Sequence, residues 1–182
     1  MKAKVILLFS GLSAGIILFN SCDQKTKTDR IETTETSEKK VSGEVALKDY
    51  GADPLVLNIE DYTSTNTNFR TTLWTGKNLQ VTLMSIPVGG EVGLEQHTTI
   101  DQFLRIEEGE AQVLMGDSKE ELSFKHEAKE DFAILVPAGK WHNIINTGNK
   151  PLKLYSIYSP PEHAHSTVHK TYEEAMEAEL NH

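Results

Sequence analysis

The chain carries a single cysteine, Cys22, in 182 residues. One cysteine excludes an internal disulfide framework and a cysteine-rich zinc site. Positive charge is also scarce: 18 Lys and Arg stand against 27 Asp and Glu, a formal net charge of −9. A chain this acidic repels nucleic-acid phosphates and anionic lipid headgroups, and no basic patch with interleaved aromatics offsets it. Nucleic acid is therefore not an expected partner. Walker loops, dinucleotide fingerprints and nucleophile elbows are missing as well, which argues against nucleotide chemistry and serine hydrolysis.

What is present begins with a leader. Met1-Lys2-Ala3-Lys4 is a short basic start, and residues 5–19 are apolar apart from small residues. The run is short for a membrane span, which needs about 20 residues, and matches a signal-peptide core. Asn20-Ser21-Cys22 follows, a small residue before a cysteine. This resembles a bacterial lipoprotein lipobox, although Phe19 and Asn20 stand where small or aliphatic residues are usual. The resemblance implies a signal peptide over 1–21 and lipidation at Cys22, with the chain exported to the bacterial cell envelope. Its membrane contact would then be through that anchor alone, on the periplasmic or the outer-membrane side. A simple cleaved signal beside a coincidental cysteine is the alternative.

Residues 22–52 are rich in Thr, Lys and Glu and poor in apolar side chains, so they cannot repay the entropy of ordering. They read as a disordered polar tether. From Pro54 the pattern changes to short strands with turn signals every 8–12 residues. Strands are expected over 55–59, 69–74, 79–86, 93–97, 102–107, 111–115, 122–126, 132–136, 142–147 and 152–158. A helix is expected over 171–180, with Ala175, Met176 and Leu180 on one face. The prediction is an all-β domain, a closed barrel or jelly roll over 53–160, followed by a tail over 161–182 with a short helix.

Glu95 and His97 stand two apart in an expected strand, so their side chains share a face. A carboxylate beside an imidazole suits a divalent metal. About forty residues later Pro137-Ala138-Gly139-Lys140-Trp141-His142 supplies a tight corner and another imidazole.

The two stretches together resemble the cupin superfamily. Gly89, Glu95-x-His97, Gln102 and Gly109 follow the spacing of the first cupin motif, with Glu in place of its first His and Gln in place of its Glu. Pro137, Gly139, His142 and Asn146 match the second motif, with Asp131 where glycine is usual. The resemblance spans residues 69–158. It implies a single-domain jelly roll, the double-stranded β-helix barrel. It also implies a metal site of Glu95, His97, His142 and Gln102, for a divalent Fe, Mn, Ni or Zn ion that the sequence does not distinguish. The ligand would be a small oxygenated molecule, enolisable or anionic, and homodimers are common in the family. Gln102 is the weakest of the four donors, and it could instead hydrogen-bond a metal-bound water.

Strand parity, together with the register that the resemblance implies, puts Gln102, Leu104 and Ile106 inward and Asp101, Phe103 and Arg105 outward. Tyr155 and Tyr158 fall on opposite faces of the last strand, and Tyr155 is taken to line the pocket. His163, His165 and His169 follow Pro160-Pro161 and are expected outside the barrel. Two functions remain open: a metal-dependent cupin enzyme, a dioxygenase or an isomerase, and a membrane-tethered module that binds a small molecule or metal without turnover.

Overall fold

The computed structural model describes residues 45–180. The expected signal peptide, the lipidation cysteine Cys22 and the tether up to residue 44 lie outside the described residues. No helix among the described residues is long and apolar enough to cross a membrane.

Among the described residues, ten strands and two helices follow one another as α1 (Ile59–Thr65), β1 (Arg70–Thr75), β2 (Gln80–Ile86), β3 (Glu95–Gln96), β4 (Asp101–Glu108), β5 (Glu110–Gly116), β6 (Phe124–Lys129), β7 (Ala133–Val136), β8 (Trp141–Asn146), β9 (Leu152–Ser159), β10 (Val168–His169) and α2 (Tyr172–Leu180). They form two antiparallel sheets, β10-β1-β2-β9-β4-β7 and β3-β8-β5-β6. This is the expected jelly roll with its C-terminal helix.

The inward rows explain why the site lies where it does. On β9 the buried residues are Leu152, Leu154, Ser156 and Tyr158. The register sets them against Ile86, Met84, Thr82 and Gln80 of β2, and sets Leu154, Ser156 and Tyr158 against Ile106, Leu104 and Gln102 of β4. The interior therefore has an apolar end and a polar end. At the apolar end Met84, Ile86, Ile106, Leu152 and Leu154 are all 0% exposed. Each such side chain contributes about 1.5–3 kcal/mol by leaving water. Gln80, Thr82, Gln102, Ser156 and Tyr158 make the polar end. Burying them costs free energy unless they are hydrogen-bonded, so that end is built for something other than packing.

Two residues of the second motif act on the backbone. Asn146 shares its amide protons among the carbonyls of Ile86, Pro87 and Lys150 and accepts from the Gly148 N–H, tying the β8 end to two loops. Asp131, at the place of the usual glycine, has φ 71°. Aspartate tolerates this left-handed region better than most residues, and its carboxylate accepts from Arg105 at 2.6 Å.

Three expectations are corrected. Residues 55–59 are not a strand: Asn58 accepts from the Glu60 N–H, and Glu60 and Asp61 fill the first turn of α1. A capping side chain followed by acids starts a helix. The tether does not extend to residue 52, because Tyr50 N–H donates to the Leu73 carbonyl and Trp74 Nε1 donates to the Asp53 carbonyl. The 161–182 tail is not an appendage. β10 pairs with β1, Ala175 is 0% exposed in the core, and Tyr172 meets Phe69 edge-on at 5.6 Å. The helix face expected from Ala175 and Met176 does pack, whereas Leu180 stays exposed.

Asp49 joins the lead-in to this tail. Its carboxylate accepts from Gly51 N–H at 2.8 Å, Thr75 Oγ1 at 2.6 Å and Ser166 N–H at 3.0 Å, and lies 3.4 Å from His165 Nε2. Burial favours its neutral form, but the donors outweigh that and hold its pKa below the ordinary 3.8. The stability it contributes is therefore full above that value and is lost as pH falls through the lowered one. Asp49→Ala should cost about 2–3 kcal/mol, from charge-assisted hydrogen bonds lost, measured by urea denaturation. Asp49→Asn should flatten the acid side of the stability profile, and an unchanged acid limb would contradict this role.

Candidate metal centre

β3 and β8 are antiparallel neighbours in which Glu95 sits directly opposite His142. Opposed residues in an antiparallel pair point to the same face, so the register alone brings these two side chains together. His97, two residues on, keeps that face. Its backbone is held by the corner before β8: Gly139 N–H donates to the His97 carbonyl at 2.7 Å, and Gln96 Nε2 donates to the Gly139 carbonyl at 2.9 Å. Gly139 has φ +82°, which glycine adopts without strain. The Pro137–Gly139 corner thus fixes both halves of the site.

Glu95 Oε1 lies 3.3 Å from His97 Nε2 and 3.2 Å from His142 Nε2. Each imidazole uses its other nitrogen elsewhere. His142 Nδ1 is 3.2 Å from the Lys140 carbonyl, which can only accept, so that nitrogen carries a proton. His97 Nδ1 is 3.3 Å from Glu162 Oε1. In their neutral forms both rings therefore present a lone pair to a carboxylate oxygen. Three acceptors facing one another repel unless a cation sits among them, either protons on the rings or a metal ion.

The donor set fits a metal. Glu95, His97 and His142 each offer one atom, all within 4.8 Å of one another. Nitrogen and oxygen ligands about 2.0–2.2 Å from a common ion lie roughly 3.0–3.4 Å apart, which matches the two measured edges. The outer contacts fit as well, since metal-binding histidines donate their second N–H to a carboxylate or carbonyl. Without a metal, burial works against charge on His97, but the Glu162 and Glu95 carboxylates outweigh it and push its pKa up to about 9. Burial likewise favours neutral Glu95, yet its hydrogen bonds to His142 and His97 hold it well below the carboxylate range.

Gln102 enters from the facing sheet, 3% exposed and opposite Tyr158. Its Nε2 donates to Ser156 Oγ at 3.0 Å, and its Oε1 is buried with no hydrogen-bond partner. That oxygen is the atom it can offer to a metal or to a water on one. The inward parity of Gln102, Leu104 and Ile106 is as expected.

The tyrosine expectation is corrected. Tyr155 lies on the outward row of β9 with its ring 6.2 Å from Phe103. Tyr158 is the one inside, its ring edge-on to His97 at 5.6 Å, and burial pushes its pKa up to about 12. The pattern Leu152-x-Leu154 against Lys153 marks the inward row and would have identified it.

The histidine tail is corrected too. Gln80 donates to the His163 carbonyl at 2.8 Å and accepts from His163 N–H at 2.9 Å. This two-bond clamp sets the His163 ring 5.2 Å from Tyr158. A cavity of about 480 Å³ results, lined by Arg70, Glu95, His97, Glu162, His163 and His169. His165, by contrast, points away, to Asp49. Sequence reasoning missed Arg70, Glu162 and the placement of His163 and His169. No local motif announces them, because each depends on the tail folding back along β1.

Comparisons with known proteins agree with this fold. The Cupin domain family matches residues 82–158. The chain belongs to the cupin superfamily. It is 59% identical over 133 residues to the uncharacterized protein YrkC of Bacillus subtilis (strain 168), covering 73% of this chain and 72% of that protein. Uncharacterized protein L612 of Acanthamoeba polyphaga mimivirus is 40% identical over 109 residues, 59% of this chain and 66% of the relative. The crystal structure of BH2720 from Bacillus halodurans is 58% identical and superposes with a TM-score of 0.71, covering 71% of this chain and 98% of that one.

This cupin's Glu162 should affect metal binding through His97. Glu162→Gln should lower zinc affinity by about ten- to a hundredfold, the usual effect of losing an outer-shell carboxylate. Competition with a chelator measures it, and an unchanged affinity would rule out that role.

Proposed function

We propose that the chain is a metal-dependent cupin in which Glu95, His97 and His142 hold one divalent ion, with the Gln102 amide oxygen as an auxiliary donor. The observation that carries this reading is the convergence of two imidazole nitrogens on Glu95 Oε1, each ring held from behind by an acceptor. Two imidazoles and a carboxylate are the facial set favoured by non-haem Fe(II), and Mn, Ni or Zn accept it as well. Bound there, such an ion supplies Lewis acidity to a small oxygenated ligand and, if redox-active, access to O₂ chemistry of the dioxygenase type.

The chain's own residues shape what enters. Tyr158 stays protonated and packs against His97, keeping that ring oriented. The cavity of about 480 Å³ limits the ligand to a small molecule. Isomerisation of an enolisable substrate is the corresponding activity with zinc.

One observation favours binding without turnover. Gln102 stands where the motif's carboxylate is usual, and an amide can neither give nor take a proton in catalysis. The same site would then capture a small molecule or metal near a membrane. The leader and Cys22 support export and lipid anchoring in the bacterial cell envelope, and exposed Phe124, Phe132 and Leu135 are candidates for a homodimer contact.

The full chain should purify with about one divalent ion per molecule, measured by elemental analysis. Glu95→Ala and His142→Ala should lose it. O₂ uptake is then screened on 1,3-dicarbonyls and catechols. Wild type with no metal and no difference from either variant would sink the metal reading. Metal without turnover across the panel would favour the binder.

A further inference from the structure

Arg70 begins β1 beside β10 and is 0% exposed. Its Nη1 reaches Glu179 Oε1 at 3.3 Å, while Nε and Nη2 have no hydrogen-bond partner. A buried guanidinium with one long ion pair is poorly compensated, because an ion taken out of water needs its donors satisfied. Two further orphans belong to residues that line the same cavity: His163 Nε2 and His169 Nδ1 are buried without partners. Burial, followed by the Arg70 charge, pushes His163 down to about 3, and the same two causes lower His169. Both rings are therefore neutral and can each donate one N–H. Arginine and two neutral imidazoles around one cavity are a donor set in want of an anion.

We propose that Arg70, with His163 and His169, binds the carboxylate of a small carboxylic acid, and that Glu179 is its internal stand-in. The inference rests on the metal reading for the other end of the ligand, whose second oxygen function would face Glu95, His97 and His142. Glu179 identifies the preferred anion, since a carboxylate already occupies one edge of the guanidinium. It sits near the end of α2 with a side chain 44% exposed, so it can leave into water. The cavity also carries Glu95 and Glu162. Their charge disfavours a phosphate dianion at the Arg70 end more than a carboxylate.

The test uses malonate as the probe, with inorganic phosphate alongside, titrated calorimetrically into the full chain after zinc loading and after metal removal. Arg70→Met should weaken malonate binding at least tenfold, the effect of losing a charge-assisted pair, while keeping its zinc. Glu179→Ala should tighten malonate binding several-fold, because the competing carboxylate is gone. This second variant keeps the test decisive if Arg70→Met fails to fold, and a merely structural Arg70–Glu179 pair would not produce tightening. The same order of affinities for wild type and Glu179→Ala is required in metal-free protein. Zinc bound normally with malonate indifferent to both residues overturns this inference alone. Phosphate preferred over malonate at these residues overturns the carboxylate assignment. Absence of bound zinc in wild type instead sinks the metal reading.

Discussion

Two imidazole nitrogens converging on one carboxylate oxygen, with a cation required among them, are the constraint around which the polar end of this barrel is arranged. They stay together because Glu95 is locked opposite His142 by strand register, and because His97 is pinned through its backbone by Gly139. The energy that holds them comes from elsewhere, from the apolar half of the same interior. Leu152 and Leu154 on β9 and Met84 and Ile86 on β2 anchor the strands whose other ends carry Ser156, Tyr158, Thr82 and Gln80. One strand thus spends its first half on stability and its second half on the site.

The C-terminal tail completes what the barrel begins. It returns along β1, is clamped by Gln80 at His163 and by Asp49 at Ser166, and packs α2 against the core through Ala175. Its carboxylate at Glu162 orients His97, and its two histidines close a cavity over Arg70. The asymmetry of charge is informative. The cluster of Glu95, His97 and His142 is built around a carboxylate, whereas Arg70, His163 and His169 concentrate donors. A ligand carrying oxygen functions at both ends complements the two halves.

Glu at the place of the first motif's first His, and Gln at the place of its Glu, have a local consequence in this structure. The negative charge sits at Glu95, between the two imidazoles, where it raises His97 and is itself stabilised. Gln102, facing from the other sheet, uses its N–H on Ser156 and keeps an oxygen free. The site thereby retains one carboxylate while its opposite wall stays neutral.

Much of this was legible in the chain itself. Strand spacing, the paired motifs and the parity that turns Gln102, Leu104 and Ile106 inward are properties of periodicity, and periodicity survives in a one-dimensional string. Glu95, His97 and His142 could be selected because residue type and motif spacing narrow the choice. Tyr158 was legible but misread, since the Leu152–Leu154 row already marked its face. Arg70, Glu162, His163 and His169 were not legible. Their roles come from a tail pairing with an edge strand about a hundred residues away, and long-range pairing of a two-residue strand leaves no pattern in sequence. The amino-acid order by itself determined the barrel and its three converging donors. Only the tertiary structure decided what closes over them, because a cavity is made by the surfaces that meet across it and not by the segments that supply them.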